Sequence, residues 1–435
     1  MSVVSVVKYL DPKLGRVEVD LGPSDADILS HDTYTHGVPH ATFRRLRNED
    51  QVSWIDEPNG RGFWAVTRYS DVLHVSRHPE LFSNRDGIRL EDMDSEENAA
   101  RRTMMEMDAP EHTQFRRLVS KPFARPQVMQ YADGIRAVAA DVIESVRAEG
   151  THTFDFVDRI AKQLPMRMLG RLLGIDDADG PWLVEMGDAL LGNTDPDFTS
   201  HPVDLVDTED FRLMPFRSPV GYELFRYAQR QAESRRGCPA HDVIGNLLQP
   251  MPDGNSLSEH EFNNFFTLLV AAGNDTTRYT LAAGLEALMQ RPEMIRELQN
   301  NLSLIPMAVE EILRWTTVTM HFRRTATQDT ELGGRRIGAG DKVVIWFVSA
   351  DADERKFPEP FHFDIRRTPN EHAAFGWLSP HLCLGAPLAR LEIRVLLEEL
   401  LPRIAHLEIA GPTSRLRSNF ISGIKQLPVH VSWAS

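Results

Sequence analysis

The strongest periodic signal in the chain starts at Ser258. Ser258 and Glu261 have the spacing of a capping box, and Phe262, Phe265, Phe266, Leu269 and Val270 follow at helical intervals. The pattern predicts a long helix that carries the polar run AAGNDTTR at residues 271–278. A second apolar face, Leu388, Leu391, Val395 and Leu396, predicts a helix after residue 385. Residues 42–47 read as a short helix. Residues 62–68, in which Phe63, Ala65 and Thr67 alternate, read as a strand, as do residues 342–348, and ELGGRRI around Gly333 and Gly334 reads as a hairpin. Clusters of Pro, Gly and Asp interrupt the helical middle at 84–97 and 192–219, and a strand-rich piece runs from residue 406 to the end. Helices first, strands late and no repeated βαβ unit predict a mainly α fold with a smaller β region (α+β) and argue against a doubly wound sheet.

Composition narrows the functional class. At 435 residues, 42% of them hydrophobic, the chain can bury a large core and an internal cofactor, and its length alone suggests two or three domains. A formal net charge of −15 argues against nucleic acid as the main partner. No run approaches the ~18 apolar residues of a membrane span, and the N-terminus lacks a basic-then-apolar leader, so a soluble cytoplasmic protein is expected. Two cysteines, Cys238 and Cys383, are too few to suggest a disulfide framework. Cys238, in RRGCPA, reads as an incidental loop thiol.

Cys383 lies in FGWLSPHLCLGAPLAR, residues 375–390. Gly376 permits a tight turn, and Ser379 and Pro380 keep the approach extended. The following helix would place the sulfur near its N-terminus, where backbone N–H groups favour a thiolate. By itself the cysteine fits either a metal-holding thiolate or a buried, inert thiol. The run resembles the signature of the cytochrome P450 superfamily, the heme-thiolate monooxygenases. Phe375, Gly376, His381, Cys383 and Gly385 fill the signature places, and Leu388, Ala389 and Arg390 match its continuation. The loop is one residue longer than the commonest form, a length similar to that of actinobacterial sterol- and lipid-hydroxylating members. Trp377, Leu378 and Ser379 stand where the family has one or more glycines. The resemblance covers nearly the whole chain. It implies a single P450 domain over residues 1–435, with no fused reductase, enclosing heme b ligated through Cys383.

The resemblance also assigns roles elsewhere. In AAGNDTTR, the small Ala272 and Gly273 would leave room for oxygen, and Asp275 and Thr276 would be the acid and alcohol that deliver protons to it. Either Thr276 or Thr277 can bond a carbonyl one turn back and loosen the helix. A kinked polar helix with no chemistry is the bland alternative. Glu311 and Arg314 in EILR share a helix face; as a surface pair they would be worth only about 0.2–0.5 kcal/mol. The family buries this pair beneath the heme with an arginine partner, here Arg367 or, second, Arg366. Asp351 and Ala352 replace the family's usual Asn and Arg. His112, Arg116, Arg324 and His381 would serve the heme propionates, for which the planar fork of Arg is suited.

The resemblance puts substrate contacts at residues 84–97 and 192–219, at Val270 and Ala271, and at residues 318–322 and 420–425. Val318, Met320, Phe322, Phe420 and Ile421 suit an apolar substrate such as a terpenoid or sterol. The acidic 192–219 segment reads as a lid. Electrons from NAD(P)H would arrive through a separate ferredoxin and its reductase, and Arg117, Lys121 and Arg125 beside Arg116 form a basic run to receive it, unless Pro122 or Pro126 ends that helix. Other readings are a tailoring oxidase acting on an aromatic or polyketide intermediate, a peroxide-driven enzyme, and a non-catalytic heme-thiolate sensor.

Overall fold

A computed structural model of the chain describes residues 4–11, 15–58, 60–237, 242–251 and 254–434. Cys238 lies outside the described residues. The chain separates into two compact units, each assembled from three stretches: residues 1–92, 306–383 and 415–423 in the first, and 93–305, 384–414 and 424–435 in the second.

The first unit is built on a five-stranded sheet of β1 (Val52–Ile55), β2 (Phe63–Val66), β3 (Phe82–Ser83), β4 (His321–Ala326) and β5 (Lys342–Trp346), in spatial order β1-β2-β5-β4-β3. Only β5 against β2 is parallel, in register Val344 to Ala65. The sheet is covered on both faces. Val52, Val66, Val343 and Ile345 join one buried cluster with Val72 and Phe357, while Phe63, Ala65, Val344 and Trp346 join a second with Phe43 and Met320. That alternation is what a pleated strand imposes on a sheet buried on both sides. The strand expected through residue 348 stops at Trp346, and Phe347–Ala350 turns into a short helix. The expected hairpin is present as Thr330–Leu332 against Arg335–Ile337, with φ of 57° and 77° at Gly333 and Gly334, the left-handed pair that a two-residue hairpin turn requires.

The second unit is helical: α1 (Glu111–Phe123), α2 (Ala132–Ala148), α3 (Gln163–Leu173), α4 (Gly180–Leu191), α5 (Val220–Ser234), α6 (Glu259–Met289) and α7 (Ala386–Leu400) are its main helices. Its central element is α6, which packs against α3, α4, α5 and α7. The capping box starts it as expected: Glu261 N–H donates to Ser258 Oγ at 3.2 Å, and Ser258 N–H donates to Glu261 Oε2 at 2.7 Å. A three-stranded sheet of Ile404–Ile409, Pro428–Trp433 and Thr153–Asp155 completes the unit. Among the described residues no helix is long and apolar enough to cross a membrane.

Candidate functional site

In the first unit, the Cys383 loop is a series of tight turns. Gly376 N–H donates to Ala373 O at 2.8 Å, Ser379 N–H to Gly376 O at 3.2 Å and Leu382 N–H to Ser379 O at 3.0 Å. Cys383 N–H then closes the loop on Phe375 O at 2.9 Å. Gly376 takes a φ of 73°, and Leu378, where a glycine would be easy, takes 60°. Cys383 is exposed, which sets aside the buried, inert thiol. Helix α7 starts three residues later, with Gly385 as its N-cap.

The Glu311–Arg314 pair is buried. Arg314 Nε and Nη2 each donate to the Glu311 carboxylate at 2.8 Å, and Arg367 Nε donates to both of its oxygens at 3.2 and 3.1 Å. Asp364 N–H and Asn370 Nδ2 add bonds at 3.0 and 3.1 Å. Burial pushes the Glu311 carboxyl up, but Arg314 and Arg367 outweigh it and the net shift is downward. Arg367 is therefore the arginine partner; Arg366 is exposed. Asp351, the departure from the family pattern, has found its own partners. Its buried carboxylate accepts from Thr317 Oγ1 at 2.9 Å and Ala373 N–H at 2.6 Å, and burial, opposed by His372 and these bonds, holds it up at about 6.

Arg324, on β4, is buried with Nη1 on Arg323 O at 2.7 Å and its guanidinium 5.8 Å from the Phe322 ring. Two of the expected substrate residues, Phe322 and Phe420, are half-buried and pair at 5.8 Å between ring centroids. The other three, Val318, Met320 and Ile421, are buried. Met320 packs with Phe43 and Trp346, and Thr319 bridges to Ile421 as paired backbone, which turns the neighbouring side chains into the core.

In the second unit, α6 carries the other chemistry. Most of this helix is buried, yet Ala272 is exposed and Thr276, one turn on, is half-buried. Thr276 Oγ1 donates to the Ala272 carbonyl at 3.0 Å, so Thr276 makes the back-bond that Thr276 or Thr277 could have made. Val270 and Ala271, expected to face substrate, are buried; at about 100° per residue they lie off the face of Ala272 and Thr276. A Cβ at Gly273 would stand 2.7 Å from Leu169 Cδ1, so the small residue also serves the packing of α6 on α3.

Asp275 is completely buried. It accepts from Asn274 Nδ2 at 2.8 Å and lies 3.2 Å from Arg278 Nη2, which is also 2.5 Å from Asp188 on α4. Burial raises the Asp275 carboxyl, Arg278 lowers it, Asp188 raises it again, and the balance is about 7. The acid was legible in the sequence and the i, i+3 arginine could have been, but Asp188 is distant in sequence and carried no signal. On α1, His112 is buried and Arg116 half-buried one turn later; burial and then Arg116 push the His112 imidazole down. Arg117 and Lys121 are exposed on the same helix, which continues through Pro122 to Phe123, while exposed Arg125 begins a separate short helix.

The 192–219 segment, expected as a lid, is tied down by ion pairs. Buried Asp195 lies 2.9 Å from Lys425, which also pairs with Asp197, and Arg212 pairs with Glu96 and, at 3.3 Å, with Asp94.

By chemistry the residues fit heme b: an exposed thiol for iron, and arginines with histidines for two carboxylates. The Cytochrome P450 family profile matches residues 29–411. The chain is 36% identical over 426 residues, 96% of each chain, to a methyl-branched lipid omega-hydroxylase of Mycobacterium tuberculosis. It is 33% identical over 423 residues, 95% of each chain, to a steroid C26-monooxygenase of Mycolicibacterium smegmatis. Among solved structures, a Mycobacterium marinum cytochrome P450 in complex with pseudoionone matches with a TM-score of 0.82 at 36% identity, covering 90% of this chain and 94% of that one.

Proposed function

The chain belongs to the cytochrome P450 family and is a heme-dependent monooxygenase; on that premise we propose that it hydroxylates a lipophilic terpenoid, sterol or branched lipid, with residues 1–435 as one catalytic domain in the cytoplasm. Heme b would be held by Cys383, with His112, Arg116, Arg324 and His381 as donors to its propionates, and would supply the iron for reduction of O2 with NAD(P)H-derived electrons from redox partners. We propose a separate ferredoxin and reductase as those partners.

The stretch of α6 from Ala272 to Thr276 carries the reading. Thr276 has committed its only hydroxyl hydrogen to the Ala272 carbonyl, so its oxygen keeps lone pairs that orient a relay water as donor. Burial raises the Asp275 carboxyl above the ordinary carboxylate range, which favours the proton-holding form a general acid needs. A sensor needs neither feature. The half-buried Phe322 and Phe420 support an apolar substrate held by shape, and both relatives act, by name, on lipids or steroids.

Reconstitution with a surrogate ferredoxin, its reductase and NADPH tests the reading on a panel of branched lipids, sterols and terpenoids, with aromatic and polyketide compounds beside them. One panel member should shift the heme spin state and yield a product heavier by one oxygen atom. Thr276→Ala should keep the spin shift and divert electrons to peroxide. Product from aromatic or polyketide compounds alone would favour the tailoring oxidase.

A further inference from the structure

Asp275 has no exposure of its own, yet a relay acid must regain its proton after each delivery. The groups that meet it define the route. From α6 come Asn274, Arg278 and Tyr279; from the turn before α3 comes the positive charge of Lys162; from α4 comes Asp188. The α4 backbone is close: a Cβ on Gly187 would stand 3.8 and 3.9 Å from the two Asp275 carboxylate oxygens. Asp188 and Asp275 share one nitrogen of Arg278, and the Asp188 side chain keeps 13% exposure. Two atoms of this cluster, Asp275 Oδ2 and Arg278 Nε, are buried with no hydrogen-bond partner among the described residues. Native proteins seldom leave buried polar atoms so; a bridging water or a catalytic role accounts for such groups.

We propose that Asp188 is a positioning residue of the relay, the carboxyl through which Asp275 exchanges its proton with solvent while both lean on Arg278. This rests on Asp275 being the relay acid. The step balances simply: Asp188 takes a proton from solvent and passes it by a bridging water to the Asp275 carboxylate, and the cluster returns to its starting charge once the Asp275 proton is delivered. Arg278 remains protonated throughout. Burial opposes its charge, but Asp275 and Asp188 beside it outweigh that and raise its affinity for the proton.

The test uses infrared pH titration of the heme-loaded protein, which reads carboxyl protonation without turnover. The parent should show a protonated-carboxyl band lost through about pH 7 and absent in Asp275→Asn. Asp188→Asn removes a neighbouring negative charge, so the midpoint should move to lower pH, with a proton affinity about tenfold weaker per pKa unit. Its product per NADPH should fall roughly 10- to 100-fold, the scale seen when a group that orients a functional one is lost. Substrate affinity in the spin-shift assay should stay unchanged, and Asp188→Glu should restore part of the yield. An unchanged midpoint and yield in Asp188→Asn overturn the inference, as does a carboxyl band that depends on Asp275 but titrates in the ordinary carboxylate range. Full yield in Asp275→Asn would instead remove the relay acid itself.

Discussion

Replacing Glu311 by Gln should cost far more than a surface ion pair can. The carboxylate accepts six bonds, two from Arg314, two from Arg367 and one each from Asp364 N–H and Asn370, with no exposure to water. Glutamine keeps the shape but removes the charge and can accept through one oxygen only. Two guanidinium groups then share a buried site with no anion, while Arg314 keeps its bonds to Asp351 O and Pro360 O and Arg367 its bonds to Pro358 O, Glu359 O and His362 O. Removing one partner of a buried pair costs about 3–5 kcal/mol, against ~0.2–0.5 for an exposed pair at this spacing. With a urea slope of ~3 kcal/mol per M, the unfolding midpoint should drop by roughly 1 M. Circular dichroism and tryptophan fluorescence should follow the same shift. The exposed Arg366→Gln control should stay within about 0.5 kcal/mol. A loss below ~1 kcal/mol in Glu311→Gln would refute the argument that this triad braces the unit.

Leu378→Gly should stabilise the folded protein by up to ~1–2 kcal/mol less the backbone entropy of glycine, because Leu378 sits at a φ of 60°; an unchanged thermal midpoint would show the loop is not strained there. Glu392, buried on α7, has its carboxyl raised by burial from 4.5 to about 8, so its contribution is present below pH 4.5 and is lost as pH rises through about 8. Glu392→Gln should flatten that decline, worth a few kcal/mol at ~1.4 per pKa unit, and an identical pH–stability curve would contradict it. Reversing Arg117 and Lys121 to Glu should slow reduction by an acidic ferredoxin more at low salt than at high, and equal rates at low ionic strength would place the docking surface elsewhere.

Local chemistry was the legible part of the sequence. The Ser258–Glu261 box and the Gly333–Gly334 turn act within four residues, so spacing alone specified them. The buried triad was legible only by resemblance, since a glutamate and arginine three apart look the same on a surface helix. Helical periodicity could not tell that Ala272 and Thr276 would form the open side of α6 while Val270 and Ala271 are buried. Long-range electrostatics left no trace: Asp188 meets Arg278, and Lys425 meets Asp195, only because the chain folds back on itself. The left-handed Leu378 was hidden for a different reason, because leucine gives no sign that its position demands a positive φ.

The central claim is that Cys383, as a thiolate, holds the heme. The absorption spectrum of the purified, dithionite-reduced protein under carbon monoxide tests it most directly. The parent should show the red-shifted Soret band that a thiolate ligand produces, and Cys383→Ser should lose it while other features of the fold persist by circular dichroism. The same red-shifted band in Cys383→Ser, or its absence from a heme-loaded parent, would contradict the assignment.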